Sequence, residues 1–399
     1  MFYFIVFILL LVLSVIERTE LDDKSRSFLV FISWFILVVV AGLRYETGGD
    51  WDVYGQFLEK VTPICEFVSS GKTGSSRHFE FGYFLLCSIF KQLGLGIQVL
   101  FFVIALFDIT LIAKALKHYT KYVVTGLFVY YSLLYLTLEF SLIRQAIAAS
   151  ICFYAFKYVP EKKMFKYFLL IFLAFLFHMS ALIMLPLYFF FKVRFSSIFL
   201  IIVVCLGCLI MLFQITWINR ALLFVVGLLG EDSLRKVVIY TTNKVYNVNR
   251  GIGIGFFLNL FLFILFLWKR KRFEEKAYGN LFLNVFMVNI IVYYYMYEFI
   301  EISVRFRLYY MLSLVVLFPH LLETCPKLIN RMVLSIVLVL YCLTTNRKIY
   351  MNDPSTIVLN PYQNYVIHKC LDKKSMGKIR LIKNEEFVKK ERKKEKKNE

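Results

Sequence analysis

Arg144 lies in an apolar run, Leu133 to Phe156, whose only charges are Glu139 and Arg144 itself. A guanidinium stays charged at any physiological pH, and burying it in hydrocarbon costs several kcal/mol unless it has a partner or a polar cavity. Its planar fork of donors matches phosphate oxygens better than a lysine would. Ser141, Arg144, Ala148 and Ile151 or Cys152 share one broad helical face by the i+3 and i+4 rule. Arg44 ends another apolar run, and Arg305 and Arg307 open a third. At spacing i, i+2 the last two cannot face the same way in a helix. Cations at several helix ends of one apolar chain suit an anionic ligand, with structural ion pairs as the competing account.

The richest constellation is Arg44-Tyr45-Glu46-Thr47-Gly48-Gly49-Asp50-Trp51-Asp52-Val53-Tyr54. Gly48 and Gly49 permit a sharp turn. The rings of Tyr45, Trp51 and Tyr54 suit sugar faces as well as a membrane interface. Asp50 and Asp52 lie just beyond the turn, and His178 can donate or accept a proton near neutral pH. No second His or Cys stands at a metal-ligand spacing from His178, so no metal is expected. Gly94 with Gly96, and the Gly251–Gly255 run, lack the strand-to-helix setting of a nucleotide loop.

These residues need a scaffold, and the composition names it. The chain has 399 residues, 60% of them hydrophobic, with mean hydropathy +0.68. Charge-free stretches include Ser27 to Leu43, Tyr122 to Leu138, Phe195 to Asn219, Gly251 to Trp268, Ala277 to Tyr297 and Met332 to Asn346. Several approach the roughly 20 residues that cross hydrocarbon as a helix. The expected fold is all-α: a polytopic membrane bundle of about 11–13 crossings with re-entrant segments and a polar cavity. Helices are expected near 2–16, 28–43, 97–113, 122–138, 139–156, 165–177, 180–191, 197–216, 251–267, 279–297, 304–322 and 332–345. The pieces flanking His178 read as a broken hairpin, and Phe79 to Leu93 as a further apolar segment.

The net charge of +20 does not point to nucleic acid. The cations gather in short loops, Lys114 to Lys121, Lys157 to Lys166, Lys192 to Arg194 and Lys269 to Arg272, a distribution expected of cytoplasmic loops. That orientation sets Trp217 to Arg250, Arg144 and His178 on the outer side. The expected division is a membrane domain over 1–350 and a polar, basic tail over 351–399. From Lys369 the tail carries 13 Lys or Arg against 6 Asp or Glu and reads as a solvated extension. The eight scattered cysteines read as small buried hydrophobes.

Leu43-Arg44-Tyr45 with Gly49-Asp50 and Tyr54, Phe81-Gly82-Tyr83, Leu142-Ile143-Arg144-Gln145-Ala146-Ile147-Ala148, Phe177-His178-Met179-Ser180-Ala181-Leu182-Ile183 and Arg305-Phe306 occur in this order. In that order the chain resembles the EpsG-like branch of the bacterial Wzy-type polysaccharide polymerases. It departs from the pattern in the extra Gly48, and in Phe81-Gly82 where related chains often carry proline-glycine.

The resemblance implies a membrane glycosyltransferase that needs no cofactor. It would polymerise undecaprenyl-diphosphate-linked repeat units into O-antigen or capsular polysaccharide at the outer face of the bacterial inner membrane. A chain-length regulator and a flippase of the same pathway are candidate partners. Arg44, Arg144 and Arg305 or Arg307 would hold the diphosphate. Tyr45, Glu46, Trp51 and Tyr54 would contact sugar, and Asp50, ahead of His178, would act as base. A flippase or transporter of the same lipid-linked glycan is the alternative, and a histidine-dependent acyltransferase a lower one.

Overall fold

The computed structural model describes residues 1–74, 79–190, 193–221, 251–324 and 328–398. Every extended secondary-structure element among them is helical, accompanied by one isolated antiparallel bridge between Arg44 and Asn364. The helices used below are α1 (Phe2–Ile16), α2 (Asp23–Gly42), α3 (Trp51–Lys60), α4 (Ile64–Ser70), α5 (Phe81–Gln92) and α6 (Ile97–Tyr119). They continue as α7 (Val123–Phe140), α8 (Ile143–Ala155), α9 (Met164–Phe177), α10 (Ser197–Leu212), α11 (Ile254–Trp268), α12 (Gly279–Tyr295) and α13 (Ile300–Glu323). The last are α14 (Leu328–Thr345), α15 (Tyr365–Cys370) and α16 (Gly377–Asn398). By length and composition α2, α6, α7 and α13 can cross a membrane, and α1, α9, α10, α11 and α12 are shorter apolar helices. The chain is a polytopic helical membrane protein.

It divides into two compact units, Met1–Leu182 with Lys327–Glu399, and Ile183–Pro326. In the first, the carboxylate of Glu17 accepts from Val124 N at 2.7 Å, Thr125 N at 2.8 Å and Thr125 Oγ1 at 3.0 Å. That satisfies donors which the start of α7 would otherwise leave open, while burial pushes the Glu17 pKa up. Midway, α7 widens into a π-turn over Tyr131–Tyr135. Two of its tyrosines tie down neighbouring backbone: Tyr131 Oη donates to Tyr3 O and Tyr135 Oη to Leu37 O, each at 2.6 Å. Between α6 and α8 the fully buried Asp108 accepts from Ser150 Oγ at 2.7 Å.

The basic loops between α6 and α7 and between α8 and α9 lie at one end of this unit. Lys117 and His118 end α6, and Lys157 to Lys166 join α8 to α9. The opposite end carries Arg44 after α2, Ser141 before α8 and His178 after α9. The 12-residue α5 is too short to cross by itself. Lys91 Nζ near its end donates to Glu59 O at 2.9 Å, and Gln98 just beyond donates to Gly42 O at 2.7 Å. Both contacts hold that connection on the Arg44 end.

Two expectations change. The helix near 28–43 starts earlier, at Asp23. The stretch 180–191 is no continuous helix: a 3-10 turn over Met179–Met184 precedes a single turn at Leu187–Phe190, because Pro186 interrupts the run. Ahead of the charged stretch that begins at Lys369, most of whose described residues are exposed, residues 351–368 pack on the bundle. Leu359 is buried and its carbonyl accepts from Tyr3 Oη at 2.9 Å, while the Tyr362 ring stacks on Phe2 at 4.1 Å. The aromatic sequence around Asn360-Pro361-Tyr362 has apolar area to bury, and the N-terminus of α1 offers the place.

In the second unit α12 packs on α10, where Tyr295 Oη donates to Val203 O at 2.9 Å. Glu298 accepts from the backbone N–H groups of Ile218 and Asn219 at 2.8 and 3.0 Å. The basic run Lys269 to Arg272 follows α11, with Arg270 Nε on Glu274 at 2.7 Å. Of the expected outer loop Trp217 to Arg250, residues 222–250 lie outside the described ones, as do Phe191 and Lys192.

Candidate functional site

The loop from Leu43 to Asp50 is held from two directions. On one side the C-terminal segment pairs with it: Tyr45 N donates to Gln363 O and Tyr365 N to Leu43 O, both at 2.8 Å, and Gly48 N donates to Val358 O at 2.9 Å. The buried Arg380 clamps the same loop, donating to Glu46 O at 2.7 Å, Thr47 Oγ1 at 3.2 Å and Pro361 O at 2.6 Å. Burial lowers the pKa of its guanidinium. On the other side lies the break between α7 and α8. Gly49 N donates to Ser141 Oγ at 3.2 Å. Gly48, at φ +116°, passes so close that a Cβ there would fall 2.0 Å from Phe140 O. Only glycine fits that position. The chain turns at Gly48, as expected, and it is the extra Gly48 that makes the closest approach to Phe140.

This packing brings the Asp50 loop to the start of α8. Arg144 makes an ion pair with Glu80, and its guanidinium lies 4.2 Å from the Phe79 ring. The two side chains are 21% and 24% exposed, so the pair opens partly to solvent. Tyr54 sits beside Arg144, and burial raises its phenol pKa. Asp50 immediately precedes α3 and is half-buried; Asp52 accepts from Gln56 Nε2 at 2.6 Å. Gly82 fixes the start of α5 against α9, since a Cβ there would lie 2.8 Å from Leu176 O. That contact brings the Glu80 segment next to the C-terminal turn of α9 and its cap, His178. The imidazole Nδ1 of His178 lies 2.6 Å from Ser180 Oγ and accepts from Ser180 N at 3.3 Å. A backbone N–H on Nδ1 assigns the ring proton to Nε2.

The other expected site residues are distributed differently. Arg44 is 2% exposed, lying under the rings of Phe101 at 4.2 Å and Phe140 at 5.2 Å. Its Nη1 donates to Ala41 O at 3.0 Å, while Nε and Nη2 are buried without a hydrogen-bond partner. Tyr54 is 3% exposed, among Phe79 and Tyr83. Direct contact of either with a ligand would need the side chain uncovered. Tyr45 faces the rings of Tyr365 and His368, and the Glu46 carboxylate accepts from Ser375 Oγ. Trp51 is half-buried, near Gly377.

Arg305 and Arg307 belong to the second unit and diverge as their spacing requires. Arg305 is exposed, whereas Arg307 donates to Asn289 Oδ1 at 3.0 Å and Asn259 Oδ1 at 3.2 Å, over the Tyr293 ring at 4.5 Å. Among the described residues no group of His, Cys, Asp and Glu could hold a metal ion.

Sequence reasoning missed four participants. Glu80 was legible only as an interruption of an apolar segment, although an acid flanking one is the natural partner for an intramembrane arginine. Asn259 and Asn289 each interrupt an uncharged run and could have been found the same way. Arg380 carried no signal, being one cation among many in a charged tail.

Chemically, the Arg144 end of the first unit offers a partly exposed guanidinium, two carboxylates, a serine hydroxyl and an imidazole on aromatic walls. Such a set can hold an anion and move a proton. No curated protein and no solved structure matches the chain. The model of the EpsG family matches residues 27–364, a span that includes the Arg44 loop, Glu80, Arg144, His178 and the bridge residue Asn364, and the chain belongs to the EpsG family.

Proposed function

We propose that this protein is a membrane glycosyltransferase that polymerises undecaprenyl-diphosphate-linked oligosaccharide repeat units into O-antigen or capsular polysaccharide. The observation that carries the reading is the half-open Arg144–Glu80 pair beside the Asp50 loop, at the end of the first unit away from its basic loops. Family membership supports the same class. Under the positive-inside rule that end faces the outer side of the cytoplasmic membrane. The α3–α5 region then lies at the outer interface, and the chain crosses the membrane about 11–13 times.

In this mechanism Arg144 exchanges Glu80 for the departing diphosphate. The acceptor hydroxyl oxygen attacks the anomeric carbon of the donor chain, forming the new glycosidic bond. The bond from that carbon to the diphosphate oxygen breaks, and undecaprenyl diphosphate leaves with the electron pair. The hydroxyl proton passes to the Asp50 carboxylate. A guanidinium aimed at the charge that develops on the leaving group stabilises the transition state more than the ground state. Arg44, buried behind the loop, contributes positive potential without contact. Within the second unit Arg307 is engaged by Asn259 and Asn289. Trp51 is the aromatic left for a sugar face.

Reconstitution with purified lipid-linked repeat unit tests the reading. Longer saccharides on the lipid are the expected product. Transfer of the lipid between leaflets without bond formation would make the protein a flippase instead.

A further inference from the structure

Helices α1 and α2 pack on different partners. The Phe7 ring of α1 meets Phe128 of α7 at 5.0 Å, while Trp34 Nε1 of α2 donates to Thr110 Oγ1 of α6 at 3.0 Å. A cleft of about 570 Å³ is left between them, within the size range of small-molecule sites. Its walls are apolar: Ile5 and Leu9 from α1, Phe35 and Val39 from α2. Ile5 is 60%, Leu9 43% and Phe35 51% exposed, so the cleft opens sideways where a bilayer would lie.

One end is different. At the Arg44 end of the two helices the cleft is closed by the C-terminal segment, through Tyr362, His368 and Lys373. One turn presents the last two, with Lys373 N donating to His368 O at 3.1 Å. Lys369 and Lys374 flank them against a single acid, Asp372. The His368 ring lies 5.5 Å from that of Tyr45, on the loop that leads to Asp50. An apolar trough open to lipid, ending in cations next to the candidate site, complements a long hydrocarbon chain with an anionic head.

We propose that the α1–α2 cleft binds the chain of a polyprenyl phosphate lipid, with its phosphate at Lys373 and His368. Choosing a polyprenyl over a glycerophospholipid rests on the function proposed above. The cleft would then seat one lipid-linked substrate with its head beside the Tyr45–Asp50 loop. It also gives the C-terminal segment a role, since Lys373, with His368 beside it, closes that end of the trough.

The test uses the full-length protein in phosphatidylcholine nanodiscs, with undecaprenyl diphosphate as probe, phosphatidylglycerol as competitor and retention measured by native mass spectrometry. Wild type is expected to retain undecaprenyl diphosphate against excess phosphatidylglycerol. Val39→Trp and Ile5→Trp, filling the cleft from opposite walls, should each weaken retention on the order of ten-fold, and Lys373→Glu several-fold. Ile5 is exposed enough that its replacement decides the matter if Val39→Trp fails to fold. Retention by Ile5→Trp equal to wild type overturns the proposal, as does equal retention of phosphatidylglycerol, which would make the cleft an ordinary lipid contact. The outcome is separable from polymerase activity. A wild type that elongates glycans while Ile5→Trp retains the probe normally rejects the cleft alone; cleft-dependent retention without elongation rejects the polymerase reading alone.

Discussion

Arg144 and Arg44 are both guanidiniums at helix ends, but their surroundings divide the work. Arg144 has a carboxylate partner and a partly open face; Arg44 is enclosed by Phe101 and Phe140. Cation–π contacts contribute about 0.5–1 kcal/mol at exposed sites and about 2 kcal/mol when desolvated, which suits the buried Arg44 to holding the loop; under the proposed function Arg144 is the one that meets a ligand. Arg144→Lys keeps the charge and removes the planar fork. Losing one aligned charge-assisted contact in the transition state costs roughly 2–4 kcal/mol, so elongation should fall on the order of 30- to 1000-fold with the protein still inserted. Wild-type polymer lengths from folded Arg144→Lys would remove it from the mechanism. Asp50→Asn keeps size and hydrogen bonding while abolishing proton acceptance, so turnover should collapse with lipid binding retained. His178→Ala should mainly loosen the turn that Ser180 closes. A folded His178→Ala protein that binds but cannot elongate, beside an active Asp50→Asn protein, would make His178 the base.

The Leu43–Asp50 loop and the C-terminal segment act together as elements. Gly48→Ala would drive a Cβ into Phe140 O at a φ of +116°. The strain should destabilise the loop by about 1–3 kcal/mol, seen as a lower thermal midpoint in detergent together with reduced elongation. The C-terminal segment should be divisible. Ending the chain after Ile382 removes most of the basic helix but keeps Arg380 and its bonds to Glu46 and Thr47, so activity should survive. Ending it after Tyr350 removes the bridge to Arg44, the clamp and the stacking on Phe2, and should abolish elongation. Equal activity of the two truncations would show that the loop stands without its strap.

For the whole molecule the testable quantity is sidedness. Within the first unit the C-terminal segment, the Arg44 loop and the start of α8 share one end, while Lys157 to Lys166 lie at the other. Single cysteines at Ser141, Ser180 and Ser375 should therefore react with a membrane-impermeant thiol reagent from the outside of intact cells, and one at Lys271 should stay protected. Labelling of 375 without 141 would break the link between tail and site. Backbone pairing holds the C-terminal segment to the Arg44 end against what a charge count alone would favour: charge biases short loops during insertion, whereas a folded segment follows its contacts.

Much of this architecture was written locally. Uncharged runs of membrane length located most of the helices, though not their ends and not a helix over 180–191, because in hydrocarbon a backbone must satisfy its own hydrogen bonds. Isolated cations in those runs marked Arg44, Arg144, Arg305 and Arg307, and the glycine pair marked a turn before Asp50. What the sequence could not carry was pairing across distance. Glu80 meets Arg144 over 64 residues and Arg380 meets Glu46 over 334. Burial of Arg44 depends on Phe101 and Phe140 arriving from two other helices. Such choices among chemically equivalent partners are made by helix packing, whose contacts are set by side-chain shape rather than by residue type. The return of the segment around Leu359 and Tyr362 to α1 and α2 is of the same kind, since only the surface of the folded bundle gives these residues something to bury against.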